Sequence, residues 1–406
     1  QLNGVDPDGS ARAWDLWVKR RWVEERNPGR ALVLASGTPI TNTLGEMFTL
    51  LRLMDEDGLL RACGLHEFDA WGAAFGDTRV ELELGPSGQY RPVERFSEFT
   101  NVPELVDLFR TAADVVLPED LRGYLTLPAI AGRRRRLVTA PATEAFRAHQ
   151  RELAARIEEI EARRGRRPQP GDDILLAVIT DGRHAAIDLR LVWPGHPNEE
   201  GNKLNLLVRE THRIWRDTAD RRYPGPDGRE IPIPGAVQMV FSDLGTEAVA
   251  AKRGFSAYRW LRDELVRLGV PPSEIAFAQD FKAARDKARL QDDARAGRVR
   301  VLIGSSETMG TGVNVQNRLV ALHHLDVPWL PSLVEQREGR IVRQGNGNDE
   351  IEILAYATLG SMDAPMWGTL ERKARFVAAA LSGDRTIRRL EDLDGQASQF
   401  AMAKAI

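Results

Sequence analysis

Cysteine is almost absent: Cys63 is the only one in 406 residues, which excludes an internal disulfide framework. Seven scattered histidines show no zinc-ligand spacing, so no metal-binding residue is assigned. No apolar run approaches membrane-spanning length and no signal peptide is visible, which together with the lone cysteine predicts a cytoplasmic protein with no membrane partner. A strong charge of either sign is also lacking. The net charge of −3 provides no global field toward nucleic acid, so any such contact needs a local basic surface. Finally, no Gly-x-x-x-x-Gly-Lys-Ser/Thr loop occurs anywhere, which removes the usual backbone cradle for nucleotide phosphates.

What is present is an ordinary folded composition, 42% hydrophobic and 28% charged, long enough for about two to three domains. Residues 11–27 have helical periodicity ended by Asn27-Pro28-Gly29. The short apolar run Ala31 to Ala35 reads as a buried strand leading through Ser36-Gly37-Thr38-Pro39 into a helix from Leu44 to Met54. Residues 64–76 look helical, and Val80 to Val93 alternates around Gly85-Pro86-Ser87-Gly88 like a hairpin. A helix follows from Val102 with Pro103 in its first turn, and residues 142–164 form a charge-rich helix with Leu153, Ile157 and Ile160 on one stripe. Strand candidates from 201 onward are Val237 to Phe241, Ile275 to Ala278, Val299 to Ile303, Leu319 to Leu325 and Ile351 to Ala357. Near-continuous apolar strands alternating with helices predict an α/β fold whose mainly parallel sheet is covered on both faces.

Four segments carry chemistry. In Gln336-Arg337-Glu338-Gly339-Arg340-Ile341-Val342-Arg343, Arg340 and Arg343, three apart and entered through Gly339, are expected on neighbouring turns of one helix face. A guanidinium stays charged and offers a rigid fork of donors to phosphate oxygens. A surface helix face paired with Glu335 or Glu338 is the bland reading of the same residues. Gly304 to Gln316 is a strand-fed loop of glycines and small hydroxyl residues, able to bring backbone N–H groups to phosphate, or simply a turn needing glycine angles. Ser36-Gly37-Thr38-Pro39 makes a tight turn with Thr41 or Asn42 available as a helix cap, and the strand ending at Phe241 runs into Ser242-Asp243.

Taken in this order, the segments resemble superfamily-two helicases and translocases of the Swi/Snf kind. Gln336-x-x-Gly339-Arg340-x-x-Arg343 resembles the family's last motif, whose arginines act as fingers on bound ATP. Gly310-Thr311-Gly312-Val313-Asn314 resembles its Gly-Leu-Gly-Ile-Asn segment, and Ser36-Gly37-Thr38-Pro39-x-x-Asn42 resembles its Ser/Thr-Gly-Thr-Pro-x-x-Asn segment. Gln238 to Ser242 resembles the first strand of the second motor lobe. Asp326-Val327-Pro328-Trp329-Leu330-Pro331 departs from the family's Asp-x-x-Trp-Asn-Pro at Leu330. Residues 94–110 and 181–190 are similar to segments of phage and mobile-element helicase–methyltransferase proteins, although no Asn/Asp-Pro-Pro-Tyr/Phe motif occurs.

The resemblance implies a division into the end of a first RecA-like lobe (1–55), a mostly helical insertion and linker (56–200), a RecA-like helicase C-terminal lobe (201–360) and a helical extension (361–406). It implies catalytic Arg340 and Arg343, coupling to the ATP site through Gln336, Gly339, Gly310, Gly312, Ser36, Gly37 and Thr38, and nucleic-acid contacts from Ser242, Ser305, Thr308, Thr311 and Asn314. The run Arg133 to Arg136 is a further basic candidate, or a solvated linker. The cofactors implied are ATP and Mg²⁺, held mainly by a first lobe; the partners are DNA, expected as duplex, and that upstream lobe. The chain opens on Gln1 and stops in an uncapped helical pattern at Ala401 to Ile406, which with the absent phosphate loop reads as a fragment that alone hydrolyses no ATP. Two other classes remain open: a non-catalytic DNA- or protein-binding module, and an unrelated α/β enzyme with its own catalytic group in residues 1–200.

Overall fold

In the computed structural model, the described residues are 10–391 apart from 42, 85–89, 118–119, 122, 164–168, 170–171, 226 and 311. They form two packed bodies. In the larger, strands β5 (Val237–Phe241), β6 (Ile275–Phe277), β7 (Val301–Gly304), β8 (Leu319–His324) and β9 (Glu350–Thr358) lie in the order β9-β8-β5-β7-β6, all parallel. Alternation along β5 explains why both faces are covered. Val237, Met239 and Phe241 point to one apolar layer, with Leu290 and Ala294 of helix α10 (Ala284–Arg295). Val240 points to the other, with Leu204 and Leu207 of α7 (Lys203–Asp217) and Leu261 and Leu265 of α9 (Ala257–Arg267). The strands expected from the sequence are therefore present, with ends differing by up to two residues.

Two expectations are corrected here. Residues 129–130 and 136–140, read as part of the linker, are strands β3 (Ala129–Ile130) and β4 (Arg136–Ala140), and both pair in parallel with β9 at the sheet edge. A two-residue and a five-residue run flanking three arginines carry no strand signal of their own; here the ladder of β9 supplies the partner. Conversely, Ala31 to Ala35 is irregular, with Val33 93% exposed. An apolar run becomes a strand only where a neighbour satisfies its backbone groups, and among the described residues none pairs with it.

The smaller body joins chain segments far apart in sequence. Helices α2 (Gly45–Asp55), α3 (Phe68–Phe75) and α4 (Val102–Ala112) enclose Phe48, Trp71 and Phe99, and helix α13 (Asp363–Ser382) adds Phe376 and Ala380 to the same core. The hairpin β1 (Gly76–Leu84) and β2 (Tyr90–Thr100) is antiparallel, Leu84 opposite Tyr90, and its tip lies outside the described residues. Strand β10 (Arg389–Glu391) completes it against β2. Helix α1 (Ala11–Glu24) leans on the turn that follows α2 through Trp17, whose indole donates to Glu56 at 3.0 Å. Helices α5 (Glu144–Ala162) and α6 (Leu175–Ile187) pack together through Leu153, Ile157, Ile160 and Val178, as the predicted stripe requires.

Candidate nucleotide and nucleic-acid site

In an open parallel sheet, ligands bind beyond the carboxyl ends of the strands, where the direction of winding reverses. Here β5 leads to β6 and β7 on one side while β8 leads to β9 on the other, so the crevice lies between β5 and β8. Each of these strands is followed within two residues by an aspartate, Asp243 and Asp326. Between them sits Arg337 of helix α12 (Pro331–Glu338), fully buried, with its guanidinium 5.3 Å from the Phe241 ring centroid. It donates to Asp243 Oδ2 at 2.8 Å, to Asp326 Oδ1 at 3.1 Å and to Ser306 Oγ at 2.8 Å. Asp243 in turn accepts from the Ser306 backbone N–H at 2.6 Å, and Asp326 accepts from the Asp243 N–H at 3.0 Å. Arg183 of α6 stands 3.8 Å from Asp326 and stacks 4.6 Å over Trp329. Burial would raise the Asp326 carboxyl, but Arg337 and then Arg183 outweigh it and hold the group below its ordinary range.

The glycine loop grows out of this network. Ser306 begins the short helix α11 (Ser306–Met309), where Ser305 and Thr308 form a reciprocal cap: each side chain accepts from the other's backbone N–H. Gly310 closes it, and a Cβ there would lie 2.2 Å from the Ser306 carbonyl oxygen, so only glycine fits. Gly312 has φ +73°, the left-handed region that glycine adopts without strain. The loop is then pinned from both sides. Gln291 of α10 donates to the Gly312 carbonyl (2.9 Å) and accepts from the Asn314 N–H (3.2 Å). From the other side, Arg340 donates to the Gly310 carbonyl at 2.7 Å and the Val313 carbonyl at 3.2 Å, and Arg343 donates to Asn314 Oδ1 at 2.7 Å.

The expected helical face for these arginines is not what positions them. Helix α12 ends at Glu338; Gly339 is the cap, and the next turn runs on i→i+3 bonds from Arg340 to the Arg337 carbonyl (3.1 Å) and from Ile341 to the Glu338 carbonyl (3.0 Å). Glycine lowers helical stability at this point, and buried Ile341 anchors the turn into the sheet core. Both guanidinium groups nevertheless meet the same loop. Arg340 is half-buried and its pKa is lowered, first by desolvation and then by Arg343; Arg343 is exposed.

The structure thus brings together Arg340, Arg343, Gly310, Gly312 and Asn314, with Gln336 half-buried on the last turn of α12 and Gly339 at its cap. Thr311 lies outside the described residues. Ser242 is wholly buried, and its hydroxyl donates to the Leu244 carbonyl at 2.8 Å, which leaves no surface for a nucleic acid: a correction of that expectation. Ser36 and Gly37 are exposed, and Ser36 Oγ accepts from the Thr38 N–H at 3.0 Å; among the described residues no hydrogen bond links them to the Gly310 loop. Arg337, Asp243, Asp326, Arg183 and Gln291 were passed over in the sequence. An acid just past each of two apolar strands was the available signal for the first three.

For the implied Mg²⁺, the residues present do not fit. Among the described residues no group of three or more His, Cys, Asp or Glu could hold a metal, and the two crevice carboxylates are committed to Arg337, Ser306 and the Asp243 N–H. Among the described residues no helix is long and apolar enough to cross a membrane.

Comparison with known proteins adds the following. Residues 2–116 match a family described as "Probable helicase domain". The chain is similar to "Defense against restriction protein B" of Escherichia phage P1, 20% identical over an alignment of 484 positions covering 92% of this chain and 21% of the phage protein. The chain thus spans about a fifth of that relative's length. Similar solved structures include the C-terminal part of the Fun30 ATPase domain (12% identity, TM-score 0.42, 68% of this chain and 97% of that one). Another is the DUF1998 helicase MrfA bound to DNA (11%, 0.31, 43% and 20%), and a third is S. cerevisiae Dbp5 bound to RNA and ADP BeF3 (15%, 0.30, 45% and 43%). The family match makes the first part of the chain helicase-like, and the motif string at the other end resembles that of superfamily-two helicases.

Proposed function

We propose that this helicase-like chain belongs to an ATP-dependent nucleic-acid translocase or helicase and supplies its second motor lobe, with residues 1–55 closing the first. The observation that carries this reading is the joint placement of Arg340 and Arg343 on the Gly310–Asn314 loop, beside the crevice at the carboxyl ends of the sheet. Phosphoryl transfer needs a phosphate cradle, a metal ion, an aligned water and compensation of charge on the γ-phosphate. This chain offers the last. Arg343 has donors left over after its bond to Asn314 and is exposed, so it can reach a nucleotide held by another lobe. Arg340 must exchange two carbonyl acceptors for phosphate oxygens, a trade that favours the anion because charge-assisted bonds are the stronger.

The test has two parts. The purified chain should bind DNA in a salt-sensitive way and hydrolyse no ATP. In a longer protein that carries a phosphate-binding lobe, Arg343→Ala should lower DNA-stimulated turnover by ~10³ or more, the scale of finger arginines in related hydrolases. DNA-stimulated ATP hydrolysis by the 406-residue chain itself, abolished by Arg343→Ala, would refute the division of labour. One observation favours a second reading, a non-catalytic binding module: the Arg340 guanidinium already serves two carbonyls of its own loop. That reading requires unchanged turnover in the longer protein when either arginine becomes alanine.

A further inference from the structure

Strands β3 and β4 both pair with β9, but not continuously. Ile130 stands opposite Ile351 and Arg136 opposite Leu354, so five residues, 131–135, span what two residues span on β9. The excess chain bows outward and opens a cleft of about 930 Å³, with Ile130, Leu137 and Ile353 on its apolar side. That volume is at the upper end of the ~300–1,000 Å³ usual for ligand sites. Leu137 is 54% exposed at this point, unusual for a strand residue of its size.

The three arginines of the bow and Arg136, which begins β4, are not equivalent. Arg135 is locked on Glu338 at 2.7 Å and sits 5.2 Å from the Trp367 ring centroid. Arg136 is locked on Glu210 at 2.6 Å, with Glu352 at 3.4 Å. Arg133 and Arg134 are exposed and, among the described residues, have no carboxylate within ion-pair distance. Arg133 is also held at φ +61°, following Gly132 at φ +66°. A non-glycine residue seldom adopts that region, and such strain persists only where the surroundings impose it. Arg134 lines the cleft and Arg133 is its exposed chain neighbour, while the other two lining cations, Arg135 and Arg136, face the lining carboxylates Glu338, Glu371 and Glu352.

We propose that this cleft is a nucleic-acid backbone site, in which Arg133 and Arg134 take phosphates of one strand while the apolar side, with Leu137, receives a sugar or base. Arginine forks suit phosphate oxygens. The neutralised inner wall favours an uncharged group deeper in, a pattern that a phosphodiester strand meets and an acidic peptide, charged along its length, does not. The site rests on the reading of the chain as a nucleic-acid motor but is separate from the Gly310 loop. Glu338, the last residue of α12, lies on its wall one residue before Gly339-Arg340, which places the two sites on either end of the same turn.

The test is titration of the 406-residue chain with a fluorescein-labelled oligo-dT, a labelled duplex and a labelled poly-glutamate peptide over a range of salt. The variant is Arg133→Gly/Arg134→Ala, since glycine accepts the left-handed backbone and should leave the fold intact, checked by circular dichroism. Arg222→Ala/Arg229→Ala, exposed arginines on another loop, removes the same charge elsewhere. Two lost phosphate contacts should lower the slope of log K against log salt by about 1.4 to 1.8, with the Arg222/Arg229 control nearly unchanged. In a Cys63→Ser/Leu137→Cys chain carrying an environment-sensitive dye, oligonucleotide should shift the emission. An equal loss in both double variants, or no dye response, overturns this site while leaving the motor reading intact. Tighter binding of poly-glutamate than of either nucleic acid also overturns it. Absence of binding to every nucleic acid sinks both.

Discussion

Replacing Arg337 by methionine tests the central physical argument about the crevice. The two side chains have similar length, so the apolar packing against Phe241 largely survives, while the charge and all the donors vanish. What remains is Asp326, 2% exposed, with Arg183 at 3.8 Å as its nearest cation, and Ser306 Oγ without its buried donor. Removing one partner of a buried ion pair costs about 3–5 kcal/mol, because the other charge is left uncompensated. Arg183 reduces that cost, so the lower end, about 3 kcal/mol at pH 7, is expected from urea unfolding of the larger body.

The pH dependence separates this cause from mere loss of packing. In the native chain the Asp326 carboxyl lies below its ordinary value, so its contribution is present above the unfolded pKa near 4 and is lost as pH falls through the lower folded one. Without Arg337, burial dominates and the folded pKa of Asp326 rises above the unfolded value. The variant then recovers stability as pH drops from 7 toward 4, because the folded state takes up the proton first. The gap between the two proteins must therefore narrow with acidification, and Asp326→Asn added to Arg337→Met should restore much of the loss at neutral pH. A gap that stays constant from pH 7 to 4.5, or an additive double variant, would show that the aspartate is not the group left exposed to the low-dielectric interior.

Further outcomes follow from other buried groups. Lys203, 1% exposed, donates to Asp363 at 2.7 Å, so Lys203→Met should cost about 3–5 kcal/mol, read from denaturant unfolding. His323 is wholly buried between Tyr356 and Gln238, and desolvation lowers its pKa to about 3. Its unfolded form takes up a proton near pH 6.5, so it should remove about 1.4 kcal/mol of stability per pH unit below that. His323→Gln should flatten this acid limb; an unchanged slope would refute the assignment. Gln291→Ala should free the Gly310 loop, raising amide exchange at Gly312 to Asn314 without changing that of β7.

How far the sequence reveals this architecture depends on where each signal resides. Val237 to Phe241 and Leu319 to His324 announce themselves because a strand buried on both faces is apolar throughout, and that is a local property. Strand β4 does not, since Arg136-Leu137-Val138-Thr139-Ala140 owes its place to the free edge of β9, more than two hundred residues away. The same holds for the smaller body, whose core takes Phe48, Phe99 and Phe376 from three distant segments. At the candidate site, the motif spacing singled out Arg340 and Arg343, which meet one loop, but assumed an uninterrupted helix, which Gly339 ends. Arg337, in the same string, lacked any distinguishing mark, because its role depends on two aspartates brought together only by the sheet.

That dependence gives the crevice its mechanical character. The space where an open parallel sheet usually admits a ligand is filled by Arg337, which joins the ends of β5 and β8, the start of α11 and helix α12. Arg183 extends the junction to α6, outside the segment that carries the motifs. The network is centred on the buried Arg337–Asp326 pair, so small displacements of any one element are resisted by the others. The next layer outward is held differently. Arg340 and Arg343 meet the Gly310 loop through two carbonyls and one side-chain amide, near the surface, where exchange for another acceptor costs little. A rigid base carrying an exchangeable rim is what the phosphate contact proposed for these two arginines requires.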